Sequence, residues 1–397
     1  MKHHQITIVG GGTGGLSIAS LLLKKNPDLD IAIIDPAEKH YYQPIWTLVG
    51  AGVFSKEFSA RDEADYIPFG TTWIKEFVSK FDPENNQLTL QNGDVISYDY
   101  LVVAAGIQLD WDKVDGLKEA LADPESGVGS NYHYDTVDLT WKNIRSLKKG
   151  TALFTHPSGP IKCGGAPQKI TYLASHYWQK QGLLNQIDVK FVKAASKIFG
   201  IEKYRRTLSA VADRYGIERV WMHDLKSIRK DAKEAIFINK TTEEETVMKY
   251  DMIHVTPYQS SPDFIKNSPL ANEGGFVEVD KHTTQHVTYK NVFSVGDCSS
   301  LPTGKTGAAI RKQAPVTVNN ILSMMHGKEL VASYDGYSSC PLVTGYGSLV
   351  LAEFDYNSNP TESFPFDQSQ ERYSMYALKA YALPQLYWNG MLKGREF

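Results

Sequence analysis

Residues 5–35 read QITIVGGGTGGLSIASLLLKKNPDLDIAIID, and this stretch decides the fold. Gln5–Val9 is a short β-branched run with period two, Leu16–Lys25 is apolar enough for a buried helix that ends before Pro27, and Ile31–Asp35 is a second strand. Gly10, Gly12 and Gly15 stand in the spacing GxGxxG, and Asp35 closes the second strand 20 residues after the last of them. The first glycine permits a tight turn, the second lets the backbone approach a pyrophosphate, and the third lets helix pack on strand. The helix N-terminus then faces the negative charge. An acid at position 35 accepts hydrogen bonds from ribose hydroxyls and repels a 2′-phosphate. The expected fold class is α/β, built on a βαβ dinucleotide-binding unit.

The chain has 397 residues, enough for about two to three domains of the usual size. Apolar residues make up 42% and charged residues 22%, which excludes both a disordered chain and a polytopic membrane protein. Lys and Arg number 42 against 45 Asp and Glu, so no positive excess is present to hold a nucleic acid. Cys163, Cys298 and Cys340 are too few and too scattered for a disulfide scaffold or a CxxC zinc pattern. The histidines, including the adjacent His3 and His4, show no HExxH or similar spacing, so no metal is expected. The uncharged run Gln5–Leu23 superficially resembles a signal peptide, but its row of glycines makes a poor secretion core and reads as folded structure. With no signal sequence and no Arg-rich transit segment before Ile6, the expected location is the cytoplasmic face of a bacterial inner membrane.

Farther along, Leu88–Leu90 and Val95–Ser97 flank Asn92-Gly93 as a hairpin, followed by the apolar strand Leu101–Ala105, which ends at Gly106. A matching strand, Asn291–Val295, ends in Gly296-Asp297. Thr151–Thr155 is a strand fit to open a second Rossmann-like unit. The segment after this strand, HPSGPIKCGGAPQK (156–169), contains three prolines and no GxGxxG, so a second pyrophosphate has no obvious provider. Helices over 168–181 and 204–215 and strands over 188–193 and 218–222 still complete that unit. The predicted division is a split first domain (1–112 and 275–330), a second Rossmann-like domain (113–274) and a C-terminal region (331–397).

Tyr373–Leu392 carries one charge, Lys379, among tyrosines, Trp388, Leu, Met and Ala, and Pro384 is expected to break it into two short pieces. Neither piece can span about 30 Å of hydrocarbon, but an aromatic pair flanked by Arg372, Lys393 and Arg395 suits a bilayer interface. A buried helix pair or a dimer interface is the alternative, and the oligomeric state, a homo-oligomer included, is left open.

Four strings carry a closer likeness: YYQPIWTLVGAG (41–52), IKCGGAPQKI (161–170), VGDCSSLPTGKT (295–306) and SCPLVTGYGSLVLAEFDY (339–356), extended by FPFDQSQERYSMY (364–376). With them the chain resembles the sulfide:quinone oxidoreductases over essentially its whole length, in particular the two-cysteine type that includes the mitochondrial enzyme. The resemblance implies two Rossmann-like FAD/NAD(P)-type domains, a monotopic membrane association, and FAD held by Gly10, Gly12, Gly15, Asp35, Gln43, Ala105, Gly106, Gly296 and Asp297. Lys305 is implied to stabilise charge on the reduced ring. It further implies a redox-active pair, Cys163 and Cys340, with Cys340 attacked first and Cys163 on the flavin side. Cys298 is given no catalysis, and no third cysteine lies between Gly106 and Gly150. The implied partners are hydrogen sulfide, ubiquinone or menaquinone near Tyr346, Tyr376 and Tyr381, a small sulfane-sulfur acceptor such as a thiol or sulfite, and the membrane surface. An NADH:quinone oxidoreductase of the same fold and a non-turnover persulfide carrier or sulfide sensor are the competing readings.

Overall fold

The computed structural model describes residues 2–395. The glycine-rich opening folds as the spacing predicts: strand Lys2–Val9, helix Thr13–Lys25 and strand Ile31–Ile34, with Ile6, Ile8, Leu16, Ile18 and Ile33 fully buried. A Cβ on Gly15 would stand 1.9 Å from the carbonyl oxygen of Gly10, so only glycine lets this helix sit on the first strand. The first sheet runs Thr71–Ile74, Ile31–Ile34, Lys2–Val9, Val95–Val103, Gln87–Leu90, Val78–Asp82, and the late strand Val292–Ser294 pairs in parallel with Leu101–Val103. The hairpin arm and the apolar strand expected as two elements are one strand, Val95–Val103. Its start pairs antiparallel with Gln87–Thr89 and its length runs parallel to Lys2–Val9, so one strand serves both partners.

A second sheet is wholly parallel, in the order Val128–Gly129, Met252–His254, Gly150–His156, Ile187–Lys193, Glu218–Trp221. Helices Ala166–Lys180 and Glu202–Arg214 serve as its crossovers, close to where the sequence places them. A three-stranded antiparallel sheet over His223–Lys249 and the hairpin Ser338–Gly345/Ser348–Phe354 were not foreseen. In open α/β sheets the carboxyl ends of the strands form the ligand crevice. Here that end gathers the glycine turn, Ala105-Gly106, Gly296-Asp297 and the loop carrying Cys163.

The C-terminal segment corrects the expected break at Pro384. Helix Tyr373–Ala377 passes through a π-helical turn, Leu378–Ala382, directly into helix Leu383–Asn389, with Pro384 in its first turn. There the missing N–H of proline falls in a wider turn that does not need it. The segment is docked rather than free. Ser20 Oγ donates to the carbonyl of Leu392 (2.7 Å), and Lys24 Nζ to that of Gly394 (3.2 Å). Tyr387 and Trp388, expected at a bilayer interface, are buried, while Tyr373, Tyr381 and Leu386 face outward. Among the described residues no helix is long and apolar enough to cross a membrane.

Candidate active site

Cys163 stands in the loop between Gly150–His156 and the helix that starts at Ala166, in the left-handed region (φ 52°). This conformation is strained for a residue with a Cβ, and two backbone bonds hold it: its N–H donates to the carbonyl of Lys305 (2.9 Å), and its own carbonyl accepts from Ala166 (2.8 Å). Cys340 arrives on the strand Ser338–Gly345 and is buried, whereas Cys163 is partly exposed. Gly165 makes the approach possible, since a Cβ there would meet Cys340 Sγ at 2.5 Å.

Two thiols 177 residues apart in the chain thus come together at one site. The neighbouring Cys340 thiol is the largest influence lowering the Cys163 thiol well below its ordinary range. Burial opposes this, and the ammonium groups of Lys169 and Lys379 add to the lowering. The neighbouring Cys163 and burial push Cys340 well above the ordinary range. Negative charge on the pair is therefore favoured on Cys163 and the proton on Cys340. Lys169 Nζ lies 3.0 Å from Cys163 Sγ, and although burial works against its charge, the two cysteines keep the ammonium protonated. The N-terminus of helix Ala166–Lys180 also faces the anion.

Neither lysine was singled out by sequence reading. Lys169 sits in the first turns of a helix, where a cation opposes the helix dipole unless an anion is near. Lys379 is the lone charge of an aromatic run, and it turns inward: it is 2% exposed and donates to the carbonyl of Pro44 (2.8 Å). Burial, with Lys169 alongside, lowers it to about 7. A third lysine, Lys162, donates to Gln43 Oε1 (2.7 Å) and lies 5.3 Å from the Trp46 ring centre. Burial lowers it to about 8, while the Asp297 carboxylate pulls the other way.

The glycine turn, Ala105-Gly106 and Gly296-Asp297 follow neighbouring parallel strands of the first sheet. The helix at Thr13 has no side-chain cap, so its first N–H groups are open, and a Cβ on Gly12 or Gly106 would meet nothing within 4 Å. Asp35 accepts from Gly11 N–H (2.5 Å) and Ala37 N–H (2.8 Å). Gly296 N–H donates to Gln313 Oε1 (2.9 Å), and burial raises the Asp297 carboxyl against the opposing pull of Lys305 and Lys162. Glu63 is buried beside Gly11 with Oε1 lacking a partner. This set, an uncapped helix N-terminus with open backbone in front and acids for hydroxyl groups, fits a dinucleotide. Lys305 turns its Nζ to the carbonyls of Asp297 (2.5 Å) and Ser299 (3.2 Å), beneath Phe276, and its own carbonyl anchors Cys163. Cys298 is fully buried with its thiol toward the carbonyl of Val103 (3.5 Å).

A polar chain ties the C-terminal helix to the glycine helix: Glu63 Oε2 to His40 Nδ1 (3.0 Å), His40 Nε2 to Tyr387 OH (2.5 Å), and Tyr387 OH to Thr13 Oγ1 (2.7 Å). Tyr346 donates to the carbonyl of Ala51 (2.8 Å), Tyr376 is buried, and Tyr381 is exposed against Phe54. A cavity of about 370 Å³ opens between Pro160, Phe276, Thr303, Lys305, Phe354 and Tyr356, and its Lys305 is the residue whose carbonyl anchors Cys163. No cluster of metal-ligating side chains occurs among the described residues.

The family model for pyridine nucleotide-disulphide oxidoreductases matches residues 4–143. The chain is 50% identical over 396 residues to the mitochondrial sulfide:quinone oxidoreductase of Dictyostelium discoideum and 45% identical over 394 residues to that of Mus musculus. Each match covers 99% of this chain and 87% of the relative. The crystal structure of the Aquifex aeolicus sulfide:quinone oxidoreductase superposes with a TM-score of 0.83 at 22% identity, over 100% of this chain and 92% of that one. The mitochondrial relatives overturn the expected bacterial inner membrane. That expectation rested on the residues before Ile6, and the start of a chain does not fix its compartment.

Proposed function

The chain belongs to the sulfide:quinone oxidoreductase family, and from that premise we infer that it is a flavin-dependent enzyme that oxidises sulfide and reduces quinone. The observation that carries the chemistry is the Cys163 sulfur, held at 3.0 Å by the buried Lys169 beside Cys340, with negative charge favoured on Cys163. The flavin is FAD, supported by the glycine turn, Asp35 and the Gly296-Asp297 turn at the ends of one sheet's parallel strands. When bound, it supplies a two-electron acceptor that quinone can reoxidise. Gly12, Asp35, Gly106 and Asp297 hold it, together with Gln43, which accepts from Lys162.

In the oxidised pair, hydrosulfide attacks Cys340 Sγ. The Cys163–Cys340 bond breaks, its electron pair leaves on Cys163, and Cys340 carries a persulfide. Attack in this order is favoured because the lower-pKa thiol is the better leaving group, and Lys169 and Lys379 make Cys163 that thiol. Sulfane sulfur then passes to a small nucleophile such as a thiol or sulfite, for which the cavity beside Lys305 offers an approach, and the dithiol left behind would return to the disulfide by giving two electrons to the bound flavin. Quinone meets the face formed by Tyr346, Tyr376 and Tyr381, and the outward Tyr373, Tyr381 and Leu386 rest on a membrane surface. The chain division is 1–112 with 275–330, 113–274, and 331–397, supported by the return of Val292–Ser294 to the first sheet.

Anaerobic titration with sulfide, followed through the flavin absorption, tests this function. Bleaching that decylubiquinone reverses, turnover after turnover, is the expected result. Bleaching by NADH with no response to sulfide would refute it.

A further inference from the structure

Glu63 belongs to no motif of the sequence, yet its carboxyl stands at the glycine turn. The two-stranded ribbon Lys39–Tyr41/Ala60–Asp62 delivers it there, and its N–H donates to the carbonyl of Glu38 (2.9 Å). The side chain is 2% exposed. Oε2 is bonded to His40 Nδ1 (3.0 Å), whereas Oε1 is buried and has no hydrogen-bond partner. A Cβ built on Gly11 would stand 3.0 Å from that Oε1 and 3.0 Å from Asp35 Cβ, so two acids flank one residue of the turn. The nearby donors are spent: Gly11 N–H is given to Asp35 Oδ2 (2.5 Å), and the second nitrogen of His40 is engaged by Tyr387 OH (2.5 Å). Burial raises the Glu63 carboxyl above its ordinary range, with His40 opposing and Asp35 adding to the rise.

A buried carboxyl oxygen without a donor is costly, and such a group is retained where a donor arrives during function. Charge limits what that donor can be. Two carboxyls beside Gly11 repel a phosphate and accept from hydroxyl groups, while the uncapped N–H groups of helix Thr13–Lys25, next along the turn, are suited to the phosphates. The adenosine ribose of a dinucleotide presents two adjacent hydroxyls. We propose that Glu63 is a second ribose-binding residue of the cofactor site, its Oε1 accepting one hydroxyl of the adenosine ribose while Asp35 takes the other. The assignment rests on the reading of the flavin as FAD. Through His40 and Tyr387 it also ties the ribose contact to the C-terminal helix.

The test is flavin exchange on holoenzyme. The protein is incubated with mixtures of FAD and an FAD whose adenosine lacks either the 2′- or the 3′-hydroxyl, and the flavin bound at equilibrium is identified by mass spectrometry. Wild type should prefer FAD over each analogue by about tenfold, the worth of one hydrogen bond to a charged group. Glu63→Met should keep the preference against one analogue and lose it against the other. Glu63→Gln, which retains an oxygen at this position, should stay within about threefold of wild type on both. If the methionine variant does not fold, Glu63→Ala, which leaves room for water beside His40, gives the same reading. Weaker binding of all three flavins with both preferences intact would mark a packing role and overturn the assignment. So would a wild type indifferent to both hydroxyls, or tighter FAD binding once the carboxyl is gone. Wild type that purifies without FAD would remove the parent reading itself, a result distinguishable from failure of Glu63 alone.

Discussion

Replacing Lys169 by Met removes the closest cation from the Cys163 sulfur while keeping the length of the side chain. Two unit charges 3.0 Å apart attract by about 5–6 kcal/mol at an effective dielectric of about 20, which bounds the effect from above. A hydrogen bond to a charged group has a net worth of about 1.5–3 kcal/mol, or about 1–2 pKa units at roughly 1.4 kcal/mol each, and this is the expected rise of the Cys163 thiol. The rise stops short of the ordinary thiol value because the Cys340 thiol, Lys379 and the helix N-terminus stay in place. The assay is the rate of iodoacetamide alkylation against pH on anaerobically reduced holoenzyme, read by peptide mass spectrometry. Cys163 is the partly exposed thiol of the three, and Cys298 is fully buried. Lys169→Arg should recover most of the shift. An unchanged alkylation midpoint in Lys169→Met would refute the claim that this ammonium sets the thiolate.

Gly15→Ala, with its Cβ 1.9 Å from the Gly10 carbonyl, should fail to give folded protein. Gly12→Ala, whose Cβ meets nothing, should fold with a normal melting curve but purify with less flavin, as absorbance would show. Lys379 has a folded pKa of about 7 against 10.5 for an unperturbed lysine. Between those values the unfolded chain keeps a proton that the folded protein has released, so this residue's contribution to stability rises with pH, by at most about 1.4 kcal/mol per unit. In urea denaturation, Lys379→Met should therefore be more stable than wild type near pH 7, with the gap closing as pH rises, while sulfide-driven bleaching falls. Tyr387→Phe leaves His40 Nε2 and Thr13 Oγ1 without their shared partner and should cost about 1–3 kcal/mol, measured by the same denaturation on holoenzyme. Cys163→Ser and Cys340→Ser should each retain flavin and lose sulfide-driven reduction. Normal turnover in either would exclude the thiol pair.

The features legible in the chain alone were local. The glycine spacing, the alternation of the first strand and the acid that ends the second all lie within 31 residues, and their physics needs no distant partner. The second parallel sheet was legible for the same reason, through runs such as Thr151–Thr155. The features that were missed depend on contacts between distant parts of the chain. Lys169 stands only six residues from Cys163, but its meaning arises only when Cys340 arrives on a far strand and a buried thiolate forms. Pro384 was read as a break because proline removes an N–H, and the π-helical turn before it removes the need for that N–H.

The C-terminal segment shows why one reading of an amphipathic run can be half right. Its aromatic composition suggested a surface element, yet three of its faces have separate duties. Lys379 points into the sulfur site and anchors on Pro44, Tyr387 reaches the glycine helix through Thr13, and Tyr381 and Leu386 face out. The stretch His40–Trp46 joins the first two: His40 bonds Tyr387, Pro44 receives Lys379, and Gln43 and Trp46 hold Lys162 next to Cys163. The segment is thus bonded both to the stretch beside the sulfur pair and to the glycine helix. A segment that only covered the core could have used any apolar residue at 379, and burying a lysine there is costly unless the neighbouring sulfur anion needs its charge.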